Sequence, residues 1–426
     1  MKTKITCHTD IKAILQPTSR WTFGVLTLLF TYFPIANLQA QDPFFTHFYA
    51  NESEFNPAMT GYRGALSFGA KYKNQWAGAN VRAFQSGLFT FEESLPCSIF
   101  DYGFALKFDE EGDGRLRTYD TGLKLAGTIG GDIVDKSRNA TRVWNLRMGL
   151  ALRWAYKVVD FSRFTFSDEI DPKYGFFDAF GNDLPTSFNP PNEGRSNLFF
   201  APGLGVVFDW LSNEKSRRPW TLTSGLAFHN IYSFGGSRYG NEESLLGIGT
   251  PLPERLSFFL ELEWILSNNA RQFTSLTPLF FYQRQGEFSQ GLTGLHYYEA
   301  GASFGLNSVL SLGLLYHASQ RPQSGSNDHW FSLNAEFGGI ISTKGTKDRV
   351  DLGISYSSNF TGLKNTVGPI LEISLRYQLA VSPACGWMGR DDEVPYNNGV
   401  NCPRQANSRK RRKMYANIWS NLYNGK

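Results

Sequence analysis

The stretch RVWNLRMGLALRWAYKVV, residues 142–159, decides the fold. Its even-numbered residues from Trp144 to Val158 are all apolar or aromatic, and the residues between them are mostly small, polar or cationic. This period of two is typical of an extended strand with two unlike faces. Strands in soluble sheets run about five or six residues, whereas a tilted strand across a bilayer needs about 9 to 11 and carries aromatics at the interfaces. The stretch therefore favours a transmembrane barrel over a soluble sandwich.

Thirteen other runs of the chain alternate in the same way, which makes about fourteen strands. The fourteen runs are about 65–76, 82–93, 101–109, 117–129, 143–160, 197–211, 220–231, 254–265, 273–284, 290–304, 308–319, 329–341, 349–357 and 368–379. An even number of antiparallel strands brings both ends of a closed barrel to the same side. The sequence predicts an all-β protein, a transmembrane antiparallel β-barrel of about fourteen strands.

The connections between these runs agree with a membrane barrel, which has short periplasmic turns and longer external loops. The two longest, about 161–196 and 232–253, are the fifth and the seventh, so both fall on the external side if the first strand runs outward. Most even-numbered connections are short, and the stretch 130–142 is the exception. The pattern predicts that both termini lie in the periplasm.

Composition excludes a bundle of apolar membrane helices, because mean hydropathy is −0.31 and no run of 18 apolar residues occurs. Aromatics make up 15% of the chain and glycines number 42, as expected for membrane girdles joined by tight turns. Charged residues of both signs fall on the predicted lumen face, where we expect them to pair. They are Lys71, Lys73, Lys124, Arg147, Arg153, Lys157, Glu261, Glu263, Glu372 and Arg376.

The first forty residues have the pattern of a secretory signal peptide. A basic segment precedes an apolar core from Trp21 to Ile35, and Leu38-Gln39-Ala40 resembles a cleavage site. The alternative, an uncleaved membrane anchor, is disfavoured by the shortness of the core and by Pro34. We predict a signal peptide at 1–40, a lead-in at 41–64, the barrel at 65–380 and a basic periplasmic tail at 381–426. The lead-in is aromatic-rich and predicts a short helix and a turn at Asn56-Pro57.

The mature chain keeps three cysteines, Cys97, Cys385 and Cys402, in oxidising surroundings. Cys385 and Cys402 are a possible disulfide that would close a short loop in the tail. An unpaired set is equally allowed, because three thiols cannot all pair. A metal site is poorly supported, since the chain has no Cys-x-x-Cys.

The tail carries a cationic cluster followed by an apolar stripe, which makes it a candidate docking site for periplasmic partners. The residues are Arg409, Lys410, Arg411, Arg412, Lys413 and Trp419. A merely solvated tail is the alternative interpretation. Nucleic acid is not expected as a partner, because an exported chain seldom meets any.

Two motifs suggest chemistry but have simpler explanations. Residues 301–305 match Gly-x-Ser-x-Gly around Ser303, yet they lie inside an alternating strand with no helix after it. Residues 109–114 are acidic and Gly-rich but lack the twelve-residue calcium pattern, so a solvated hairpin turn is favoured. The sequence predicts no catalytic, cofactor or metal site, and a hydrolase is the weakest of the hypotheses.

The start of the mature chain closely resembles the PorP/SprF family of outer-membrane proteins from the type IX secretion and gliding machinery of Bacteroidetes. The residues that carry the resemblance are Asp42, Pro43, Phe44, Asn56, Pro57, Ala58, Gly61, Gln75 and Trp76. Residues 351–356 and 368–377 also resemble the family, and the likeness spans roughly 42–379.

The resemblance implies a non-enzymatic outer-membrane barrel that acts as an anchor or adaptor for export or surface attachment of cargo such as adhesins. Its partners would be outer-membrane lipid, periplasmic secretion components and the secreted cargo, and no cofactor is implied. The alternative function is a passive channel or a transporter of hydrophobic compounds. The sequence alone leaves open whether the lumen is open or plugged.

Overall fold

The structure is a computed structural model of the whole chain, of which most strands and several connections are described. The described residues are 45–46, 52–62, 66–76, 84–95, 100–112, 114–135, 140–212, 218, 220–231, 242–243, 250–269, 272–286, 294–307, 309–320, 327–343, 346–360 and 368–379. The predicted signal peptide, Cys97 and the tail with its cysteines and cationic cluster lie outside these residues.

Fourteen strands of the described residues form a closed antiparallel barrel, which confirms the predicted fold and strand number. The strands are β1 (Leu66–Gln75), β2 (Phe84–Glu93), β3 (Phe100–Glu111), β4 (Leu116–Asp135), β5 (Ala140–Val158), β6 (Phe199–Leu211), β7 (Trp220–His229), β10 (Arg255–Asn269), β11 (Gln272–Gln285), β12 (Leu295–Leu306), β13 (Leu310–Gln320), β14 (Asn327–Thr343), β15 (Thr346–Asn359) and β16 (Ile370–Gln378). Two further strands, β8 (Glu242–Glu243) and β9 (Thr250–Pro251), pair with each other outside the wall. The first and last strands close the barrel, with Tyr72 opposite Ile373.

The strand ends also explain the one connection that did not fit the sequence pattern. Strands β4 and β5 stay paired as far as Asp135 and Ala140, so the connection predicted at 130–142 shrinks to residues 136–139. All even-numbered connections between the barrel strands are then short. The two longest connections, 159–198 and 230–254, both join strands at the opposite end of the barrel. We call this the loop end, and the end where β1 begins the terminal end.

The two faces of the wall differ as the period of two requires. Along β5, Asn145, Arg147 and Arg153 are buried in the lumen, whereas Met148 and Tyr156 are exposed on the outer surface. Most of the charges predicted on the lumen face are buried, and several pair there. The described pairs include Lys71 with Glu372 at 3.8 Å. An outward belt of Leu, Ile, Phe and Tyr side chains suits contact with lipid hydrocarbon, where charge is costly.

The lead-in folds as predicted, into one turn of helix followed by a tight turn. Helix α1 spans Glu52–Phe55, and a 3-10 turn spans Pro57–Met59. None of the helices in the described part of the chain is both long and apolar enough to cross a bilayer. The turn is fixed locally, because the Asn56 side chain accepts a hydrogen bond from the Ala58 amide at 2.9 Å and Pro57 supplies a suitable φ at the first position.

Candidate functional site

The described part of the lead-in lies inside the barrel lumen, a placement that the sequence left open. Residues 52–62, which we call the plug, contact strands on several sides of the barrel. The Asn56 side-chain amide donates to the Val206 carbonyl at 3.1 Å and to the Leu226 carbonyl at 3.2 Å. One Asn56 side chain therefore caps its own turn and ties that turn to β6 and β7.

Glycines on three neighbouring strands make room for the plug, one for its backbone and two for its side chains or those packed beside it. Gly149 on β5 faces the junction of Pro57 and Ala58, and a Cβ at this position would collide with their backbone atoms. Gly205 on β6, which pairs with Gly149, leaves no room for a Cβ beside Asn56. The space in front of Gly225 on β7 is likewise filled by the side chains of Phe259 and Asn56. Because strand glycines often mark a close approach of another backbone, we regard these three as the seat of the plug.

Arg147 is a buried cation that binds the second half of the plug, after Pro57. Its guanidinium donates to the Ala58 carbonyl at 2.8 Å and to the Thr60 carbonyl at 2.6 Å. It also forms an ion pair with Asp101 at 2.9 Å. The side chain is almost fully buried, so these charge-assisted bonds replace the hydration that the cation loses.

Helix α1 places its acidic residue in a basic part of the lumen. The Glu54 carboxylate forms an ion pair with Lys124, and Lys107 and Arg153 lie near it. Burial alone would raise the pKa of Glu54, but these three cations, led by Lys124, lower the pKa to about 2. Glu54 is therefore ionised at neutral pH, and it anchors the helix to β4.

The last carbonyl of helix α1 finds its hydrogen-bond donors in the barrel wall rather than in a further turn of helix. The Phe55 carbonyl accepts hydrogen bonds from Ser257 at 2.7 Å and from the His229 ring at 3.1 Å. Carbonyls in the last turn of any helix need such partners from outside the helix. The Phe55 ring packs edge-on against Phe281 at 5.2 Å between centroids. Among the described residues, the larger of two clusters of buried apolar side chains therefore lies within the lumen, around the plug.

Two more contacts show how much of the lumen the lead-in occupies. Near the loop end, the Thr46 amide donates to the Glu372 carboxylate on β16 at 2.7 Å. Near the terminal end, the Gly61 amide donates to the Glu92 carboxylate on β2 at 3.1 Å. Gly61 has a φ of +67°, and a Cβ there would meet the Asp101 side chain at 2.8 Å. Thr46 and Gly61 thus contact the lumen wall in opposite halves of the barrel.

The predicted motif residues divide into three groups in the structure. Asn56, Pro57, Ala58 and Gly61 all belong to the plug. Gln75 ends β1, and Trp76 follows with a φ of +66°, its amide donating to the Pro369 carbonyl at 3.0 Å. The Trp76 ring packs on Phe84 at 4.9 Å, at the junction of β1 and β2. Asp42, Pro43 and Phe44 lie outside the described residues.

The serine motif and the acidic motif both have structural roles. Ser303 lies within β12, opposite Thr277 and Gly313, and so is on a strand rather than on an elbow. Residues 109–111 of the acidic run end β3, just before the short connection to β4. Among the described residues, no group of three or more His, Cys, Asp or Glu side chains is placed to hold a metal ion.

Sequence reasoning missed the plug because its contacts are long-range and leave no period in the chain. One signal was available. Gly149, Gly205 and Gly225 each occupy a lumen-facing position in a strand, where glycine is unfavourable unless something needs the space. Three such glycines on adjacent strands indicate a groove across the wall.

A closed barrel with a lipid-suited outer face and a peptide plug defines an outer-membrane β-barrel. The sequence matches the family described as "Type IX secretion system membrane protein PorP/SprF" over residues 37–377. The chain belongs to this family, as the resemblance predicted, and the family and fold place it in the outer membrane. They are those of a secretion-system barrel rather than of an enzyme family. No curated protein matches the sequence.

Several solved structures resemble this chain at a low level of similarity. The CymD monoaromatic hydrocarbon channel has a TM-score of 0.37 and 10% identity, over 78% of this chain and 93% of that one. The Pseudomonas putida toluene transporter TodX has a TM-score of 0.32 and 12% identity, over 77% and 93%. A Pseudomonas aeruginosa FadL homologue has a TM-score of 0.32 and 9% identity, over 74% and 90%. Likeness at this level carries no argument about what this chain transports or binds.

Proposed function

We propose that this chain is an accessory outer-membrane barrel of the type IX secretion machinery, which anchors or adapts cargo and machine components rather than conducting solutes. Family membership supports the secretion role. The plug supports the adaptor role, because a lumen filled by bonded peptide offers little path for solutes. The hydrogen bonds of Asn56 to β6 and β7 are the observation that carries this argument.

The same proposal assigns the two ends of the barrel to the two sides of the outer membrane. The short connections at the terminal end face the periplasm, where both termini and the tail 381–426 meet the secretion machine. The connections 159–198 and 230–254 face outward and meet cargo such as adhesins. This orientation follows the usual arrangement of short periplasmic turns and long external loops.

A deletion strain complemented with the wild-type gene tests the role. We expect the deletion to reduce a subset of exported proteins at the cell surface, measured by mass spectrometry of surface-released protein, and the gene to restore them. Planar-bilayer recordings test the alternative, a passive channel. Stable single-channel conductance from the purified wild-type protein, together with unchanged export in the deletion strain, would exclude the adaptor proposal.

The tail provides a separate test of the periplasmic assignment. Removal of residues 381–426, which contain Arg409–Lys413 and Trp419, should leave an inserted barrel but weaken its contact with periplasmic partners. A pull-down from crosslinked outer membranes compares the truncated and full-length chains. Recovery of the same partners with and without the tail would contradict its docking role.

A further inference from the structure

The connection between β5 and β6, residues 159–198, is an ordered element rather than a simple link; we call it the long loop. Its two ends are held together at the rim, where the Val159 amide donates to the Gly194 carbonyl and the Ser196 amide to the Lys157 carbonyl, both at 2.8 Å. It also contacts the connection between β3 and β4, because the Asp160 amide donates to the Gly114 carbonyl at 3.2 Å. The loop is therefore fixed on the barrel rim.

The long loop has its own packing. The Phe188 ring lies 5.3 Å from the Phe161 ring and stacks on the Phe166 ring at 4.6 Å, measured between centroids. The Asp168 carboxylate accepts hydrogen bonds from the Ser187 amide at 2.6 Å and from the Ser187 hydroxyl at 2.7 Å. Three aromatic rings and one bonded carboxylate thus fold the segment back on itself.

A small hairpin at the tip is built in the same way. The Asp178 carboxylate accepts from the Phe180 amide at 2.8 Å and from the Asn182 amide at 2.9 Å. Gly181 takes a φ of +82°, which lets the chain reverse. The Leu184 amide then donates a hydrogen bond to the Phe176 carbonyl at 3.2 Å. These bonds satisfy the backbone and leave the aromatic side chains between them facing outward.

Four aromatic side chains on this hairpin are exposed: Tyr174 (44%), Phe176 (57%), Phe177 (48%) and Phe180 (89%). We call them the aromatic patch. The Lys173 ammonium lies 5.0 Å from the Tyr174 ring centroid. With so much of their surface in solvent, the four rings contribute little to the stability of a segment whose backbone is already held in bonded turns. Clustered exposed apolar side chains of this kind mark interaction surfaces, and aromatic side chains are common binding hot spots.

The charge around the patch narrows the class of partner. Residues 159–198 contain seven carboxylates against three cations, a net charge of −4. Hydrogen bonds from Ser187 to Asp168, and from Asn182 to Asp178, lower the pKa of each carboxyl, so both stay ionised at neutral pH. Acidic surroundings repel an anionic lipid surface and attract a cationic peptide.

We propose that the aromatic patch and its acidic surroundings bind a basic segment of an exported protein, through an apolar or aromatic side chain seated on Phe176 and Phe180 and flanking Arg or Lys residues paired with the loop carboxylates. This inference rests on the proposed function, which places the long loop outside the cell and in reach of cargo. It adds the chemistry of the partner and the residues that recognise it.

Binding of synthetic probes tests the chemistry directly. The full chain in phosphatidylcholine nanodiscs is titrated with a labelled twelve-residue peptide that alternates Arg and Trp, with empty nanodiscs subtracted. The variant Phe176→Ser/Phe180→Ser should bind it at least about ten-fold more weakly. The variant Val309→Ser removes an exposed apolar side chain at the terminal end and should bind as the wild type does.

Two altered probes separate the parts of the interaction. Replacement of Arg by Glu in the peptide should abolish binding, and replacement of Trp by Ser should weaken it to the level of the double variant. Equal binding by wild type and double variant would overturn the proposal. So would equal binding of the Arg and Glu peptides, or docking of the wild-type nanodisc to phosphatidylglycerol vesicles, since those results indicate a lipid-binding surface.

Complementation of the deletion strain distinguishes this inference from the proposed function. If the proposal is right, Phe176→Ser/Phe180→Ser restores a normal amount of barrel in the outer membrane but not the missing surface proteins, whereas Val309→Ser restores both. Full rescue by the double variant overturns the aromatic patch and leaves the adaptor role intact. A deletion strain with no export defect overturns the adaptor role itself.

Discussion

The plug and the long loop are both irregular segments, yet they are stabilised in opposite ways. The plug, residues 52–62, takes most of its hydrogen bonds from the barrel wall, as Asn56 and Phe55 show. The long loop takes most of its bonds from itself, as Asp168 and Asp178 show. The plug buries its apolar side chains against the wall, whereas the long loop exposes several of its own, including the four rings of the aromatic patch.

This difference indicates what each segment is for. A segment that depends on the wall cannot change its sequence without a matching change in the strands, because Gly149 and Arg147 fit its backbone directly. A segment that supports its own turns can vary its exposed rings while the barrel stays the same. The plug is therefore part of the fold, and the long loop is the part that specifies a partner.

The largest effect is expected at the buried cation that holds the plug. Arg147→Ala removes the donor to the Ala58 and Thr60 carbonyls and breaks the ion pair with Asp101. Loss of one partner of a buried ion pair costs about 3–5 kcal/mol. We expect a lower melting temperature in detergent and faster hydrogen exchange across residues 52–62.

The matched control for this prediction is Arg117→Ala. Arg117 pairs with Glu110 at 2.8 Å near the start of β4, and its side chain is 34% exposed, so solvent screens the interaction more than at Arg147. We expect little change in melting temperature. If the two variants melt alike, Arg147 does not hold the plug.

A smaller effect is expected from one added methyl group at the seat. Gly149→Ala places a Cβ against the backbone of Pro57 and Ala58, which cannot move without losing the wall bonds. Overpacking of this kind costs about 1–3 kcal/mol. The plug should be displaced, so exchange across residues 52–62 should rise and single-channel conductance should appear. Gly339→Ala makes the same change where the Cβ meets open space, and it should leave both measurements unchanged.

The sequence was sufficient to predict the strands of the barrel wall but not the plug inside the lumen. Alternation of side chains is a local property, and a strand that separates lipid from lumen must show it, so residues 142–159 already predicted strand β5. The pairing of β4 and β5 beyond residue 129 was missed, because Gly130 and Gly131 interrupt the alternation without ending the ladder.

The plug could be predicted in its local shape and not in its location. Asn56-Pro57 predicted a turn because both residues act within one turn of chain. The hydrogen bonds from Asn56 to Val206 and Leu226 join residues 150 and 170 positions apart, and nothing in a single sequence records such a contact. The exposed rings of the long loop were also missed, since exposure depends on how the loop folds back on itself.

A pH-dependent effect is expected at the acidic end of the plug. The pKa of Glu54 is lowered to about 2, so the ion pairing stabilises the fold fully above the ordinary value of 4.5 and is lost as pH falls toward 2. The variant Glu54→Gln should lower the melting temperature at pH 7, and the difference from wild type should shrink in acid below pH 4.5. Glu193→Gln, on the exposed long loop, is the control and should follow the wild-type curve. A constant gap at all pH values would show that charge at Glu54 does not hold α1.

The smallest effect on stability is expected at the tip of the long loop, and it separates the two regions most sharply. Asp178→Ala removes the carboxylate that accepts the Phe180 and Asn182 amides, so the hairpin should open. Because the barrel takes no support from this hairpin, the melting temperature and the exchange of residues 52–62 should stay at the wild-type values. Exchange should rise only across residues 171–184, and the Arg–Trp peptide should bind more weakly although all four rings remain in the chain. If the hairpin opens and peptide binding is unchanged, the four rings do not need the folded hairpin to bind the peptide, and the aromatic patch is not a preformed surface.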